Sequence, residues 1–155
     1  MKIDGELHLA DLFPIIEEKL KSGGEVTINP GGISMLPLIK KGRDSVVLKK
    51  APEKLKKYDV VLYRRKSGQF VLHRVVGEKD GAYVMCGDNE FMHEPGIERG
   101  AVLAIMSAVI RNKKYVSADN FFYRMYSVIW VFLQSVHGKI RRTIRKIRRK
   151  YKNLG

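Results

Sequence analysis

Residues 69–76 read Gln-Phe-Val-Leu-His-Arg-Val-Val, a short apolar run that follows the turn-forming sequence Lys66-Ser67-Gly68. Runs of this length that are rich in branched side chains and lie beside a glycine are typical of β-strands. Five more runs are short, rich in valine and bounded by Gly, Asp, Lys or Pro, and they are also predicted to be strands, at residues 25–29, 45–49, 59–64, 82–86 and 101–111. The sequence therefore predicts a mainly β body, with hairpin turns at Lys66-Ser67-Gly68 and at Lys79-Asp80-Gly81.

Helical patterns flank this body on both sides. Leu12, Ile16 and Leu20 recur four residues apart, which predicts a short helix over residues 7–20, with Pro14 tolerated only in its first turn. Seven residues near the C-terminus are spaced three and four apart on one helical face: Trp130, Leu133, His137, Ile140, Ile144, Ile147 and Tyr151. We therefore expect a body over residues 1–116 and one long amphipathic helix within residues 117–155, with Gly138 as its kink.

Charge is concentrated in that C-terminal segment. The chain has 155 residues, of which 30 are lysine or arginine and 16 are acidic, and its net charge is +14. Nine of the basic residues lie between Lys139 and Lys152, where no acid occurs, so the rest of the chain carries only +5. An argument about anionic partners therefore begins with the tail. The single cysteine, Cys86, excludes an internal disulfide framework and a multi-cysteine zinc site.

The tail has the profile of a segment that lies on an anionic membrane surface, with aromatic and apolar residues followed by the basic run. The predicted membrane contacts are Trp130, Arg141, Arg142, Arg145, Arg148 and Arg149. The apolar stretch at residues 125–136 would rise about 18 Å as a helix, short of the ~30 Å hydrocarbon core, which favours peripheral attachment. The alternative is a helix that packs on the body with a solvated basic face. No helix-turn-helix, RNP or zinc pattern indicates a specific nucleic-acid partner.

The N-terminus has no apolar run and carries Asp4 and Glu6, so the sequence predicts neither a signal peptide nor an anchor there. On this basis we expect the body to remain in the cytoplasm.

Three short segments carry residues suited to catalysis. Ser34 follows the glycines of the turn Gly31-Gly32-Ile33, and His73 lies on a predicted strand. Asp88 and Glu94 follow the next strand. Together they match the nucleophile, base and orienting acid of a serine hydrolase. A metal site built from His73, His93, Cys86 and Asp88 lacks a recognised ligand spacing, so we expect neither a metal nor another cofactor.

The order of these segments resembles the signal peptidase I and LexA-like serine peptidases. The resemblance rests on Gly-x-Ser-Met-x-Pro at residues 32–37, Tyr-Asp-Val-Val at 58–61, Val-Leu-His-Arg-Val at 71–75 and Gly-Asp-Asn at 87–89. It covers about residues 26–111 and implies the mainly β fold of that family. Histidine at position 73, where the bacterial and LexA branches use lysine, is similar to the archaeal and endoplasmic-reticulum signal peptidases.

The resemblance implies that Ser34 attacks the scissile carbonyl, that His73 moves the proton, and that Asp88 or Glu94 orients the imidazole. We favour Asp88 because it matches the Gly-Asp-Asn motif, whereas Glu94 falls six residues later, where eukaryotic-type enzymes carry a second acid. The substrate-binding residues implied are Gly32, Ile33 and Met35. The substrate implied is an extended peptide, such as a signal or leader peptide, that pairs with a strand edge and is cut after a small residue.

Several positions depart from the family pattern. Residues 32 and 33 are Gly and Ile, where many signal peptidases have glycine and serine, so backbone N–H groups must replace a side-chain donor to the oxyanion. The segment at residues 42–44 is one residue longer than usual, and Glu90 replaces a common second asparagine. A non-catalytic peptide-binding or membrane-adaptor module on the same fold therefore remains open. So does a LexA-like self-cleaving regulator, which the histidine and the lack of a DNA-binding domain disfavour.

Overall fold

A computed structural model of the chain describes the backbone of residues 2–4 and 6–152, and the side chains of residues 11–136. Within these residues, nine strands form one sheet: β1 (Lys2–Asp4), β2 (Val26–Asn29), β3 (Asp44–Lys50), β4 (Val60–Arg64), β5 (Phe70–Lys79), β6 (Ala82–Cys86), β7 (Glu94–Ile97), β8 (Val102–Arg111) and β9 (Lys114–Ser117). Two α-helices, α1 (Glu6–Lys21) and α2 (Phe121–Lys152), and a 3-10 turn at Arg99–Ala101 complete these elements. The prediction of a mainly β protein is confirmed.

The sheet is organised around the long strand β8. Strand β3 pairs with one edge of β8, while β4 and then β9 pair with the other edge. The full order is β1-β2-β3-β8-β4-β5-β6-β7, and only β1 and β2 are parallel among the described pairs. The hairpins β4-β5 and β5-β6 place Val61 opposite His73 and Cys86 opposite Arg74. The turns of these two hairpins agree with the prediction, and the strands carry Tyr63, His73 and Arg74.

Alternate residues of β4 enter two separate apolar clusters. Val60 and Leu62 belong to one cluster, which Ile16 of α1 also joins. Val61 and Tyr63 belong to the other cluster. Successive side chains of a strand point to opposite faces, so the two clusters lie on the two faces of the sheet.

Helix α1 contains Pro14 at a position that differs from the predicted one. The predicted helix at residues 7–20 is observed at Glu6–Lys21, but Pro14 lies in its interior rather than in its first turn. The Pro14 ring is exposed, while Ile16 and Leu20 are buried on the sheet. Burial of these two side chains therefore holds the second half of the helix in spite of the hydrogen bond that proline removes.

Helix α2 begins where the Phe122 N–H donates to Asn120 Oδ1 at 2.9 Å, which is a helix N-cap. Its backbone is helical without interruption through Gly138, the position at which the sequence predicts a kink. The predicted boundary after residue 116 falls inside β9, and Ser127 and Val131 of α2 are buried. Neither described helix is at once long enough and apolar enough to cross a membrane.

Candidate active site

Ser34 lies in the turn between β2 and β3. The turn is closed by hydrogen bonds from Leu36 N to Ile33 O at 3.2 Å and from Ile39 N to Met35 O at 2.8 Å. Met35 and Ile39 are buried in the core, whereas Ser34 is half-buried. The apolar side chains thus anchor the turn from below, and Ser34 stays accessible from one side.

His73 is buried on β5 and has a different partner near each ring nitrogen. Its Nδ1 lies 3.3 Å from Tyr63 Oη, and its Nε2 lies 3.6 Å from Glu90 Oε1. Burial lowers the pKa of His73, although the attraction of Glu90 acts in the opposite direction. The imidazole is therefore neutral at neutral pH, which is the form that can accept a proton.

Glu94, at the start of β7, stands behind Tyr63. The Tyr63 hydroxyl donates to Glu94 Oε2 at 2.7 Å, and Arg65 donates to both carboxylate oxygens, at 2.8 and 2.6 Å. The Arg65 guanidinium lowers the pKa of the Glu94 carboxyl, which is therefore ionised. Burial and Glu94 raise the pKa of Tyr63, so the phenol keeps its proton.

This chain of contacts fixes the tautomer of His73. Tyr63 uses its single hydroxyl proton in the hydrogen bond that it donates to Glu94. The Tyr63 oxygen can therefore only accept a hydrogen bond, from His73 Nδ1–H. Neutral His73 then carries its proton on Nδ1 and leaves Nε2 without one. The Nε2 lone pair is consequently the basic position of this ring.

Asp88 is committed to a different partner. Arg74 donates from Nε and Nη2 to the two Asp88 oxygens at 2.7 and 2.8 Å, and both side chains are fully buried. The preference for Asp88 as the acid that orients His73 therefore does not match the observed contacts, because its carboxylate is bound in a bidentate pair. Glu94, the alternative acid, is the one connected to His73, through Tyr63.

Gly87 brings the serine turn, His73 and Glu90 together. A Cβ atom added at Gly87 would lie 2.7 Å from Ser34 O, 3.1 Å from His73 Nε2 and 3.1 Å from the Glu90 carboxyl carbon. In addition, Asn89 N donates to Ser34 O at 2.7 Å. Only glycine leaves room for this approach, and the backbone bond ties the Gly-Asp-Asn segment directly to the serine turn.

A cleft of about 210 Å³ opens at this junction. Ser34, His73 and Glu90 line it, and so do Gly32 and Met35, two of the residues predicted to bind substrate. Ile33, the third, does not line the cleft, and its side chain is 66% exposed. The cleft thus combines a hydroxyl, a basic ring nitrogen and an apolar lining.

Three contributors to this site were not predicted as site residues: Tyr63, Arg65 and Glu90. Tyr63 lies near the end of β4 and Arg65 directly follows that strand, and the pairing of β4 with β5 brings Tyr63 near His73. The sequence offers one signal for Tyr63, which is that it lies two residues after Val61 and therefore on the same face of the strand. That signal does not identify His73 as the partner, because the contact depends on the strand register.

The residues predicted to contact a membrane divide into two groups. Trp130 faces the body, where its Nε1 donates to Asp88 O at 2.8 Å and its ring stacks on Tyr126. The side chains of Arg141, Arg142, Arg145, Arg148 and Arg149 lie outside the described residues, although their backbone belongs to α2. The prediction for Trp130 is thus corrected in its orientation: its indole points inward.

The residues considered for a metal site include one buried and one exposed side chain. Cys86 is buried, and burial raises its pKa to about 12, whereas His93 is exposed. Across the residues with described side chains, no three histidine, cysteine or acidic groups are placed to hold a metal ion together.

No family model, curated protein or solved structure matches the chain.

Proposed function

We propose that this protein is a serine endopeptidase with a fold of the signal peptidase and LexA-like type, and that it processes peptide precursors at a membrane surface. Ser34 is the nucleophile, His73 is the general base, and Glu94 acts on His73 through Tyr63. The observation that carries the proposal is the Glu94-Tyr63-His73 chain, because it leaves the basic Nε2 at the cleft that Ser34 also lines.

The reaction proceeds in two balanced halves. Ser34 Oγ gives its proton to His73 Nε2 and attacks the scissile carbonyl, and the protonated imidazole then returns that proton to the leaving amine. Water repeats the sequence on the acyl-enzyme and releases the acid product. While His73 is positively charged, its Nδ1–H still donates a hydrogen bond to Tyr63 Oη, and the nearby Glu94 anion stabilises the positive charge.

The oxyanion of the tetrahedral intermediate needs donors from the serine turn. The bonds that close this turn come from Leu36 N and Ile39 N, so they do not use the N–H of Ser34. Ile33 offers no side-chain donor, and the proposal therefore assigns this task to backbone N–H groups of the turn. Removal of one such donor costs about 10²-fold or more in other hydrolases, which fits an enzyme of modest turnover.

The membrane part of the proposal is supported by the distribution of apolar and basic residues in α2. Phe121, Phe122, Phe132 and Val136 are among its exposed apolar side chains, and nine basic residues follow at positions 139–152. Such a segment suits peripheral binding to an anionic bilayer. Peptide precursors that are membrane-bound would then reach the cleft without leaving the surface.

The activity is tested with a fluorophosphonate probe and with a fluorogenic peptide library that has small residues before the cleaved bond. Wild type is expected to gain the mass of one probe adduct, and Ser34→Ala and His73→Ala to gain none. Glu94→Gln is expected to slow cleavage by about 10²-fold or more, and Asp88→Asn to lower the thermal midpoint instead.

Ser67→Ala is the matched control for Ser34→Ala, because Ser67 is an exposed serine at the β4-β5 turn. An adduct on folded Ser34→Ala, or equal cleavage by it, would refute the proposal. A larger loss of kcat in Asp88→Asn than in Glu94→Gln, with both variants folded, would return the orienting role to Asp88.

One contact favours a second function, a peptide-binding module without catalysis. The Glu90 carboxylate lies 3.6 Å from His73 Nε2, so it competes with Ser34 for the nitrogen that must act as base. This module would bind the same extended peptides, and its affinity would be unchanged in Ser34→Ala. Absence of any adduct on folded wild type, together with peptide binding, is the result that selects it.

A further inference from the structure

One face of α2 contacts the loop that completes the candidate site. Ser127, Trp130 and Gln134 are spaced three and four residues apart and therefore share this face. Ser127 Oγ accepts from Arg74 Nη1 at 2.8 Å, and Trp130 Nε1 donates to Asp88 O at 2.8 Å. The helix thus reaches both partners of the buried Arg74-Asp88 pair.

Gln134 is the main attachment point for the loop at residues 87–90. Its Nε2 lies 2.8 Å from Gly87 O, 2.7 Å from Asp88 O and 3.0 Å from Glu90 O. The same loop approaches His73 Nε2 through Glu90 and contacts Ser34 O through Asn89 N. A single amide of α2 therefore contacts three carbonyls of the loop that approaches Ser34 and His73.

The opposite face of α2 carries apolar side chains that are exposed in the part of the chain with described side chains. The side chains that share this exposure are Phe121, Phe122, Met125, Val128, Ile129, Phe132, Leu133 and Val136. A continuous row of exposed apolar side chains on one helix face marks an interaction surface. The helix continues directly into nine basic residues without an acid, and this charge selects an anionic bilayer as the partner rather than a second copy of this cationic chain.

We propose that α2 works as a two-faced element, with its outer face on an anionic bilayer while Gln134 holds the loop at residues 87–90 in its working position. Gln134 is a positioning residue, and Trp130 supports it from the same face. The two faces point in opposite directions, so membrane binding does not require α2 to leave the body. The effect on catalysis rests on the proposed function, whereas the orientation of α2 does not.

The orientation is tested with the only tryptophan of the chain, which is Trp130. The probe is a vesicle of equal parts phosphatidylglycerol and phosphatidylcholine with brominated acyl chains, which quench a tryptophan that enters the bilayer. Trp130 of bound wild type is expected to stay unquenched. The double variant Trp130→Phe/Phe132→Trp moves the tryptophan to the outer face, and its emission is expected to fall severalfold. Equal quenching of the two proteins would overturn the proposed orientation.

The positioning role is tested with Gln134→Met, which keeps the side-chain length and removes the amide. We expect the Asn89 and Glu90 amides to exchange hydrogen at least about tenfold faster, because they lie in the released loop. We also expect kcat to fall about tenfold with little change in KM and in vesicle binding. Ser135→Ala is the matched control, because the Ser135 hydroxyl donates to Val131 O of its own helix.

Unchanged exchange and unchanged kcat in Gln134→Met would refute the positioning role. Where Gln134→Met fails to fold, Trp130→Phe provides the same measurements, because it keeps the ring and loses one donor to Asp88 O. A wild type that is folded and inactive refutes the proposed function alone. The quenching and exchange results still decide the proposal about α2 in that case.

Discussion

Gly87 is a position where the absence of a side chain lets the loop, the serine turn and His73 approach one another. Its Cα is close enough to the serine turn that an added methyl group would lie 2.7 Å from Ser34 O, an atom of the backbone. Backbone cannot rotate away as a side chain can, so the loop or the serine turn must move. The glycine of Gly-Asp-Asn is therefore explained by space, since it is not among the glycines with positive φ.

We predict that Gly87→Ala lowers kcat/KM by about 10²-fold, because displacement of reacting groups by about 1 Å has this effect. The measurement is steady-state cleavage of the peptide substrate, with the fold checked by circular dichroism. Gly100→Ala is the control, because an added Cβ there meets no atom within 4 Å and its φ is not positive. Equal activity of the two variants would contradict the crowding argument.

His73 determines the pH dependence. Burial lowers the pKa of its imidazole, and the charge of Glu90 acts against this effect. A general base works only when neutral, so kcat/KM is expected to rise with pH through a midpoint below the ordinary histidine value. Glu90→Gln removes the attraction and is expected to move that midpoint to lower pH, whereas the exposed acid variant Glu98→Gln leaves it unchanged. A shift to higher pH in Glu90→Gln would show that the sign is wrong.

At the scale of elements, the sequence could predict those strands that bury valine-rich runs. The predicted runs at 45–49, 59–64 and 82–86 are observed as β3, β4 and β6 within one residue at each end. The sequence missed β1, β7 and β9, which have three or four residues each and little apolar periodicity. Their pairing depends on neighbouring strands rather than on their own side chains, so composition does not reveal them.

The same difference explains the result for the site. Ser34, His73 and Glu94 carry recognisable chemistry in the sequence. Ser34 and His73 line one cleft, and Glu94 is connected to His73 through the Tyr63 phenol. The choice between Asp88 and Glu94 could not be made from spacing, because Arg74 reaches Asp88 only through the pairing of β5 with β6. Gln134 was also unpredictable, since no local pattern shows which loop a surface helix covers.

The start of β3 depends on one carboxylate. Asp44 is buried and accepts from Arg43 at 2.9 Å, from Arg111 at 3.0 Å and from Lys40 N at 2.9 Å. Burial opposes ionisation, but the hydrogen bonds from Arg43 and Arg111 outweigh it and hold the pKa of Asp44 far below its ordinary value. This ion cluster connects the serine turn to the sheet through β3 and β8.

We predict that Asp44→Asn lowers the free energy of unfolding by about 2 to 4 kcal/mol at pH 7, because it leaves buried donors without their anion. A carboxyl whose pKa is depressed on folding stabilises the fold above its ordinary pKa and loses this effect as pH falls below it. Chemical denaturation at pH 7 and pH 3 should therefore show a smaller difference at pH 3. Asp80→Asn, at an exposed turn, is the control, and an equal difference at both pH values would refute the mechanism.

In the molecule as a whole, most of the net positive charge lies in a different part of the chain from the residues of the candidate site. His73, the ion cluster at Asp44 and the Arg74-Asp88 pair all lie in the sheet or against it. Nine of the fourteen excess positive charges lie beyond residue 138, after the last described contact of α2 with the loop. Binding to an anionic surface and the folding of the site are therefore expected to separate experimentally.

We predict that a chain ending at Gly138 keeps its thermal midpoint and its cleavage of soluble peptide within about twofold, because residues 127–134 retain their contacts with the loop. Its partition onto phosphatidylglycerol vesicles should fall at least ~100-fold, since each lost basic residue contributes up to about 1 kcal/mol near such a surface. Sedimentation of the full chain should also weaken as salt is added. Vesicles of phosphatidylcholine alone are the control, and equal sedimentation of both chains at moderate salt would assign membrane binding to the apolar face alone.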